Sequence, residues 1–129
     1  MKLWFVEIAV RDPVLAEGWY TRFLRRGPSL RDPATGFVFY ELDSGRVALR
    51  PGKTVDEISS AMPGSVLIHL LCDDLDVETR RLLAAGIAPV EGVKVGESEG
   101  YRRGIYADPE GNRWVLFEWT EKGKGADRP

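Results

Sequence analysis

The sequence predicts an α+β fold made of two βαβββ modules, their curved mixed sheets surrounding a cavity and their helices on the outer face. Three observations predict it. The chain opens its two halves alike, with Val6-Glu7-Ile8-Ala9-Val10-Arg11-Asp12 in the first and Ile68-His69-Leu70-Leu71-Cys72-Asp73-Asp74 in the second. In each copy, alternating residues give way at an Asp to apolar residues at helical spacing. After each helix come further alternating stretches punctuated by Gly, Pro, Asn and Asp. Repetition of one supersecondary unit within a chain indicates copies that share a core. The expected organisation is a single domain, 1–129, with modules 1–50 and 65–121, a linker 51–64 and a mobile tail 122–129.

The first strand is expected from Leu3 to Val10, with Trp4, Val6, Ile8 and Val10 on the core side and Phe5, Glu7 and Ala9 on the other. Asp12-Pro13 reads as an N-cap followed by proline at the first helical position. Leu15, Trp19, Tyr20, Phe23 and Leu24 then mark the buried stripe, and Gly27-Pro28 closes the helix. A short strand near Ser29-Leu30 precedes a hairpin of Phe37 to Leu42 and Arg46 to Arg50, turning at Asp43-Ser44-Gly45. The linker holds Pro51-Gly52 and Pro63-Gly64 around a short helix at Val55 to Ser60.

The second module repeats the order. Val66, Ile68, Leu70 and Cys72 alternate with Leu67, His69 and Leu71; Asp74 caps a helix bearing Leu75, Leu82 and Leu83; Gly86 supplies its left-handed end. Strands follow near Ala88 to Val95, Tyr101 to Ala107 and Arg113 to Trp119, the last two joined by Asp108-Pro109-Glu110-Gly111-Asn112. Trp114 alternates onto the core side. Cys72, the single cysteine, rules out an internal disulfide and is expected among buried apolar neighbours.

Composition narrows the partners. With 18 basic and 20 acidic residues interspersed, the net charge of −2 gives no electrostatic footprint for nucleic acid. No apolar run reaches membrane-spanning length, and Glu7 interrupts the amino terminus too early for a signal peptide, so a cytoplasmic protein is expected.

The order and spacing of three motifs resemble the vicinal oxygen chelate superfamily, which includes glyoxalase I, extradiol dioxygenases, fosfomycin-resistance enzymes and bleomycin-resistance proteins. They are Asp108-Pro109-Glu110-Gly111-Asn112 with Leu116, similar to that family's final hairpin; Trp19-Tyr20 with Leu24, similar to its first helix; and Leu83-Ala84-Ala85-Gly86-Ile87, similar to the end of its second. The resemblance covers nearly the whole chain. It implies a homodimer, and it implies four places from which metal-dependent members hold a divalent ion. Two lie seven residues before Asp12 and Asp74, at Phe5 and Leu67; the third lies seven residues after Asp108, at Val115; the fourth, by internal symmetry, falls near Ala48. None of these side chains carries a donor that a divalent cation requires.

Glu7 and His69 occupy equivalent places in the two copies. They are the candidate catalytic residues if a metal is completed from another strand or subunit, or if Glu7 serves as a general base. The simpler reading is a hydrogen-bonded polar pair. Glu118 falls on the opposite face of its strand from Val115. Phe5, Glu7, Phe39, Arg50, His69, Phe117 and Trp119 are the candidate ligand-binding residues: aromatic rings stack planar ligands and Arg50 offers a cation for an anionic group. The same rings read as cavity filling. Tyr101, Arg102 and Arg103 form a rim beside Gly96 and Gly100, or a solvated cluster. The leading expectation is a metal-free, cofactor-free protein that sequesters a planar or aromatic small molecule, as antibiotic-resistance members of the family do. The alternative is a metal-dependent lyase, isomerase or dioxygenase using Glu7, His69 and one divalent metal. A ligand-sensing or structural domain is a third reading.

Overall fold

The computed structural model describes residues 1–60, 66–96 and 100–120. The Pro63-Gly64 part of the expected linker and the expected tail lie outside them. The chain divides into two compact units, Met1–Met62 and Pro63–Pro129, each holding one four-stranded mixed sheet.

The first unit runs β1 (Val6–Val10), α1 (Pro13–Leu24), β2 (Leu30–Arg31), β3 (Val38–Glu41), β4 (Arg46–Pro51) and α2 (Val55–Ser60). Its sheet has the order β1-β4-β3-β2, with β1 parallel to β4 and the other pairs antiparallel. The second runs β5 (Ile68–Leu71), α3 (Leu75–Ala84), β6 (Glu91–Gly96), β7 (Tyr101–Ala107) and β8 (Arg113–Trp119). Its order, β5-β8-β7-β6, repeats the first unit's, with β5 parallel to β8. The chain is therefore α+β, built from two βαβββ units.

Both helices begin as their sequences require. The Asp12 carboxylate accepts from Leu15 N at 3.1 Å and the Asp74 carboxylate from Val77 N at 3.1 Å, each satisfying one of the donors that a first helical turn leaves unpaired. α3 ends in a Schellman motif: Gly86 is left-handed at φ 82°, Ile87 N bonds Leu82 O at 2.8 Å, and Gly86 N bonds Leu83 O at 3.0 Å. Ile87 is buried beyond it, as that motif favours. α1 ends earlier than Gly27-Pro28, because Arg25 itself turns left-handed at φ 56°. α2 opens on a reciprocal cap, with Thr54 Oγ1 accepting from Glu57 N and Glu57 accepting from Thr54 N.

α1 and α3 each cover one face of their own sheet. In the first unit that layer contains Ala16, Trp19, Tyr20, Phe23 and Leu24 from α1 with Ile8, Val10, Val38, Tyr40, Val47 and Leu49, all buried. In the second it contains Leu75 and Leu82 with Tyr106, Trp114 and Leu116. Burying side chains of this size stabilises by roughly 1.5–3 kcal/mol each. The two layers share a detail: Tyr40 stands beside Val47 and Tyr106 beside Trp114 at equivalent places, and each phenol bonds a helical threonine, Thr21 and Thr79 respectively. Burial raises the pKa of both phenols.

Several boundaries differ from expectation. β1 starts at Val6 rather than Leu3, so Trp4 lies before the strand and is 61% exposed instead of core; Lys2 and Arg46 sit over its ring. Alternation placed it correctly only if a strand were there to carry it. Leu15 and Leu83 also face outward. β6 starts at Glu91 rather than Ala88, and Pro51 belongs to β4 rather than to a linker. Cys72 is half-buried, its Sγ donating to Phe117 O at 3.4 Å.

Candidate functional site

The hairpin β7–β8 turns on Asp108. Its buried carboxylate accepts from Glu110 N (2.9 Å), Asn112 N (2.8 Å) and Asn112 Nδ2 (3.0 Å), while Gly111 takes the positive φ of 89° that closes the turn. This fixes the register across the sheet: His69 faces Val115 and Ile105, Leu71 faces Phe117 and Arg103, and Trp119 faces Tyr101. Residues paired this way share a face, here the one turned away from α3.

Four rings meet on that face. Phe117 contacts His69 edge-on at 6.0 Å, Tyr101 at 6.2 Å and Trp119 at 5.4 Å, and Tyr101 contacts Trp119 at 6.4 Å. The interplanar angles of 71° to 89° are the edge-to-face geometry that ring quadrupoles favour. None of the four is fully buried, and His69 is exposed. Val115 beneath them is completely buried.

The other side of the same strands is given to α3. Arg102 bridges Asp76 (2.9 Å) and Glu118 (2.7 Å), and Glu118 also accepts from Leu75 N at 3.0 Å. Glu118 thus lies opposite Val115, as alternation requires. Hydrogen bonding to Arg102 lowers the Asp76 pKa. Tyr101, Arg102 and Arg103 are consecutive residues of β7, with Arg102 on the helix side and its two neighbours on the ring side.

In the first unit the equivalent face carries Phe5, Glu7, Phe37, Phe39, Ala48 and Arg50. Phe5 meets Phe39 edge-on at 5.6 Å and Phe37 stacks on Phe39 at 6.0 Å. The register sets Glu7 beside Ala48 and Ala48 beside Phe39. Arg50 donates to Glu7 at 2.9 Å, and its other nitrogen is held by Glu57 of α2. These bonds raise the Arg50 pKa, the Glu7 hydrogen bond most; Glu57 is lowered chiefly by the Thr54 N–H that it accepts. Arg50, expected to offer a cation to an anionic group, is engaged by these two carboxylates of the chain itself. Glu7 is paired with Arg50 rather than with His69, which makes no hydrogen bond among the described residues.

Phe5, Ala48, Leu67 and Val115 stand where the family resemblance puts metal ligands, and their hydrocarbon side chains do not fit a divalent ion. Among the described residues, no three His, Cys, Asp or Glu side chains come together as a metal cluster. Among them too, no helix is long and apolar enough to cross a membrane.

Tyr101 and Arg103 share this face and are absent from the set of candidate ligand-binding residues. Alternation from the buried Ile105 along β7 is the signal for them, since it carries Arg103 and Tyr101 to the Phe117 side and Arg102 to the Glu118 side.

This architecture is the fold of solved glyoxalase/bleomycin-resistance/dioxygenase structures. A glyoxalase/bleomycin resistance protein/dioxygenase from Nocardioides matches with a TM-score of 0.76 at 22% identity, over 100% of this chain and 90% of that one. A glyoxalase/bleomycin resistance protein from Catenulispora acidiphila matches with a TM-score of 0.70 at 22% identity, over 88% of this chain and 95% of that one. A glyoxalase-related enzyme from Fulvimarina pelagi gives 0.71 at 20% identity, over 91% of this chain and 87% of that one. No protein-family model matches the sequence, and no curated protein does.

Proposed function

We propose that this protein is a metal-free binder that sequesters a planar, aromatic small molecule on the ring-bearing face of its second sheet. The observation that carries the reading is the set of four partly exposed rings, His69, Tyr101, Phe117 and Trp119, held edge-to-face. Rings locked against one another lose little freedom when a flat ligand stacks on them, so contact area converts into affinity efficiently. The apolar residues at the places where metal-dependent relatives of this fold carry ligands support binding without metal-assisted chemistry. The engagement of Glu7 by Arg50 also leaves it poorly placed as a general base.

A fluorescence titration with a neutral flat ring, 2-naphthamide, tests this. Saturable quenching of tryptophan emission is expected, and Trp119→Phe should remove most of it while keeping the fold. The ligand should be recovered unchanged by mass spectrometry. Turnover abolished by Glu7→Gln or His69→Ala, or one tightly held metal per chain on elemental analysis, would overturn the reading in favour of an enzyme. The binder is further proposed to be a homodimer, the commonest closed assembly; a monomer at micromolar concentration in sedimentation equilibrium would refute that.

A further inference from the structure

The face that carries the four rings also carries a cation that has no counter-charge among the described residues. Arg103 sits directly across from Phe117 in the β7–β8 register, two residues from Tyr101 on the same side. It is partly buried, and among the described residues it makes no hydrogen bond and no ion pair. Its neighbour Arg102 faces the other way and is saturated by Asp76 and Glu118. Arg50, on the corresponding face of the first sheet, is saturated by Glu7 and Glu57. A guanidinium that is partly withdrawn from water and lacks an acceptor retains its full capacity for a bidentate anion.

We propose that Arg103 is the anion-recognising residue of the ring platform, and that the ligand is a flat aromatic molecule bearing a carboxylate. A ring stacked against Phe117 and Trp119 projects a substituent along the sheet face toward the residue paired with Phe117. A planar carboxylate there meets the planar fork of Arg103 with two parallel N–H···O bonds. The assignment rests on the aromatic-binding reading above and goes beyond it by fixing the charge and chemical class of the ligand.

The test compares 2-naphthoate with 2-naphthamide on the full chain by tryptophan quenching. The two probes share a ring and differ in charge. Naphthoate should bind more tightly by about tenfold, the discrimination typical of one charge-assisted contact. Arg103→Gln should erase that preference by weakening naphthoate far more than naphthamide, and Arg103→Lys should restore part of it, retaining charge but not the fork. Raising the salt concentration should weaken naphthoate alone. Equal affinities in the wild type, or a preference surviving Arg103→Gln, would overturn the anion assignment while leaving the aromatic reading intact. Quenching by neither probe would overturn both.

Discussion

The two sheets are alike on the faces that meet their helices and unlike on the faces that do not. Toward the helices, each has an Asp-capped start and a buried tyrosine bonded to a helical threonine, at equivalent places in the strand order. Away from the helices, the first sheet surrounds its arginine with two carboxylates, whereas the second leaves Arg103 beside four rings and without a partner among the described residues. The duplicated fold thus keeps its helix-facing layer in both copies and varies the charge and rings of the other face. Charge neutralised within the first face is unavailable for binding. The second face neutralises no such charge among the described residues.

The largest test of this comparison is on the shared side. Trp114 is completely buried and should cost about 3–5 kcal/mol of stability on replacement by Ala, measured by urea unfolding. Val47→Ala, at the equivalent place beside Tyr40, should cost less because it removes less volume. Trp4→Ala should fall within about 0.5 kcal/mol, as surface changes do. Next in size, Tyr40→Phe, which loses its bonds to Thr21 and to the Glu17 carbonyl, should cost about 1–2 kcal/mol, and Tyr106→Phe about 1 kcal/mol. A negligible loss at either tyrosine would break the claimed equivalence of the helix-facing layers.

Acid should reveal the ion pairs. The Asp76 and Glu57 pKa values are lowered in the folded chain, by Arg102 and by the Thr54 N–H respectively. A carboxylate of depressed pKa contributes stability that is present above its unfolded value, about 4, and is lost as pH falls through the folded value. Asp76→Asn and Glu57→Gln should therefore each flatten the acid limb of the stability profile between pH 5 and pH 2. An unchanged limb in either variant would show that pair to be idle.

The smallest expected effect is chemical. Cys72 stands where the first copy has the buried Val10, but it is only half-buried; burial and then the carboxylates of Glu78, Glu118, Asp73 and Asp74 push its thiol up to about 11. Only about one thiol in a thousand is then ionised at pH 8, so iodoacetamide should label the native protein roughly a hundredfold more slowly than the urea-unfolded chain. Equal rates would place Cys72 in a more open setting than the structure gives it.

Much of this was legible in the residues. Asp12, Asp74 and Gly86 announce helix ends because each satisfies a local backbone requirement that few residue types meet, and Asp108 to Asn112 announces a hairpin for the same reason. Thr54 and Glu57 carry a capping-box spacing that makes α2 readable as well. What lay beyond reach was set by distant partners. Alternation assigned Trp4 to a face, but pairing with β4 begins only at Val6. Arg50 looked like a free cation because its two carboxylates come from β1 and α2, separated from it along the chain. Arg103 and Arg102 are distinguished only once the register between β7 and β8 is known.

The parallel pairing of the first and last strands in each sheet has a consequence for how the chain is made. β1 has no partner until β4 exists, and β5 none until β8 exists, so each sheet closes through its most distant contacts. Such contacts form late and slowly, because loop entropy must be overcome before they stabilise anything. On the ribosome, β1 emerges long before the strand that shields its edge. An apolar strand exposed in that interval is prone to stray association, which a charge such as that of Glu7, near the start of β1, works against until Arg50 pairs with the same carboxylate.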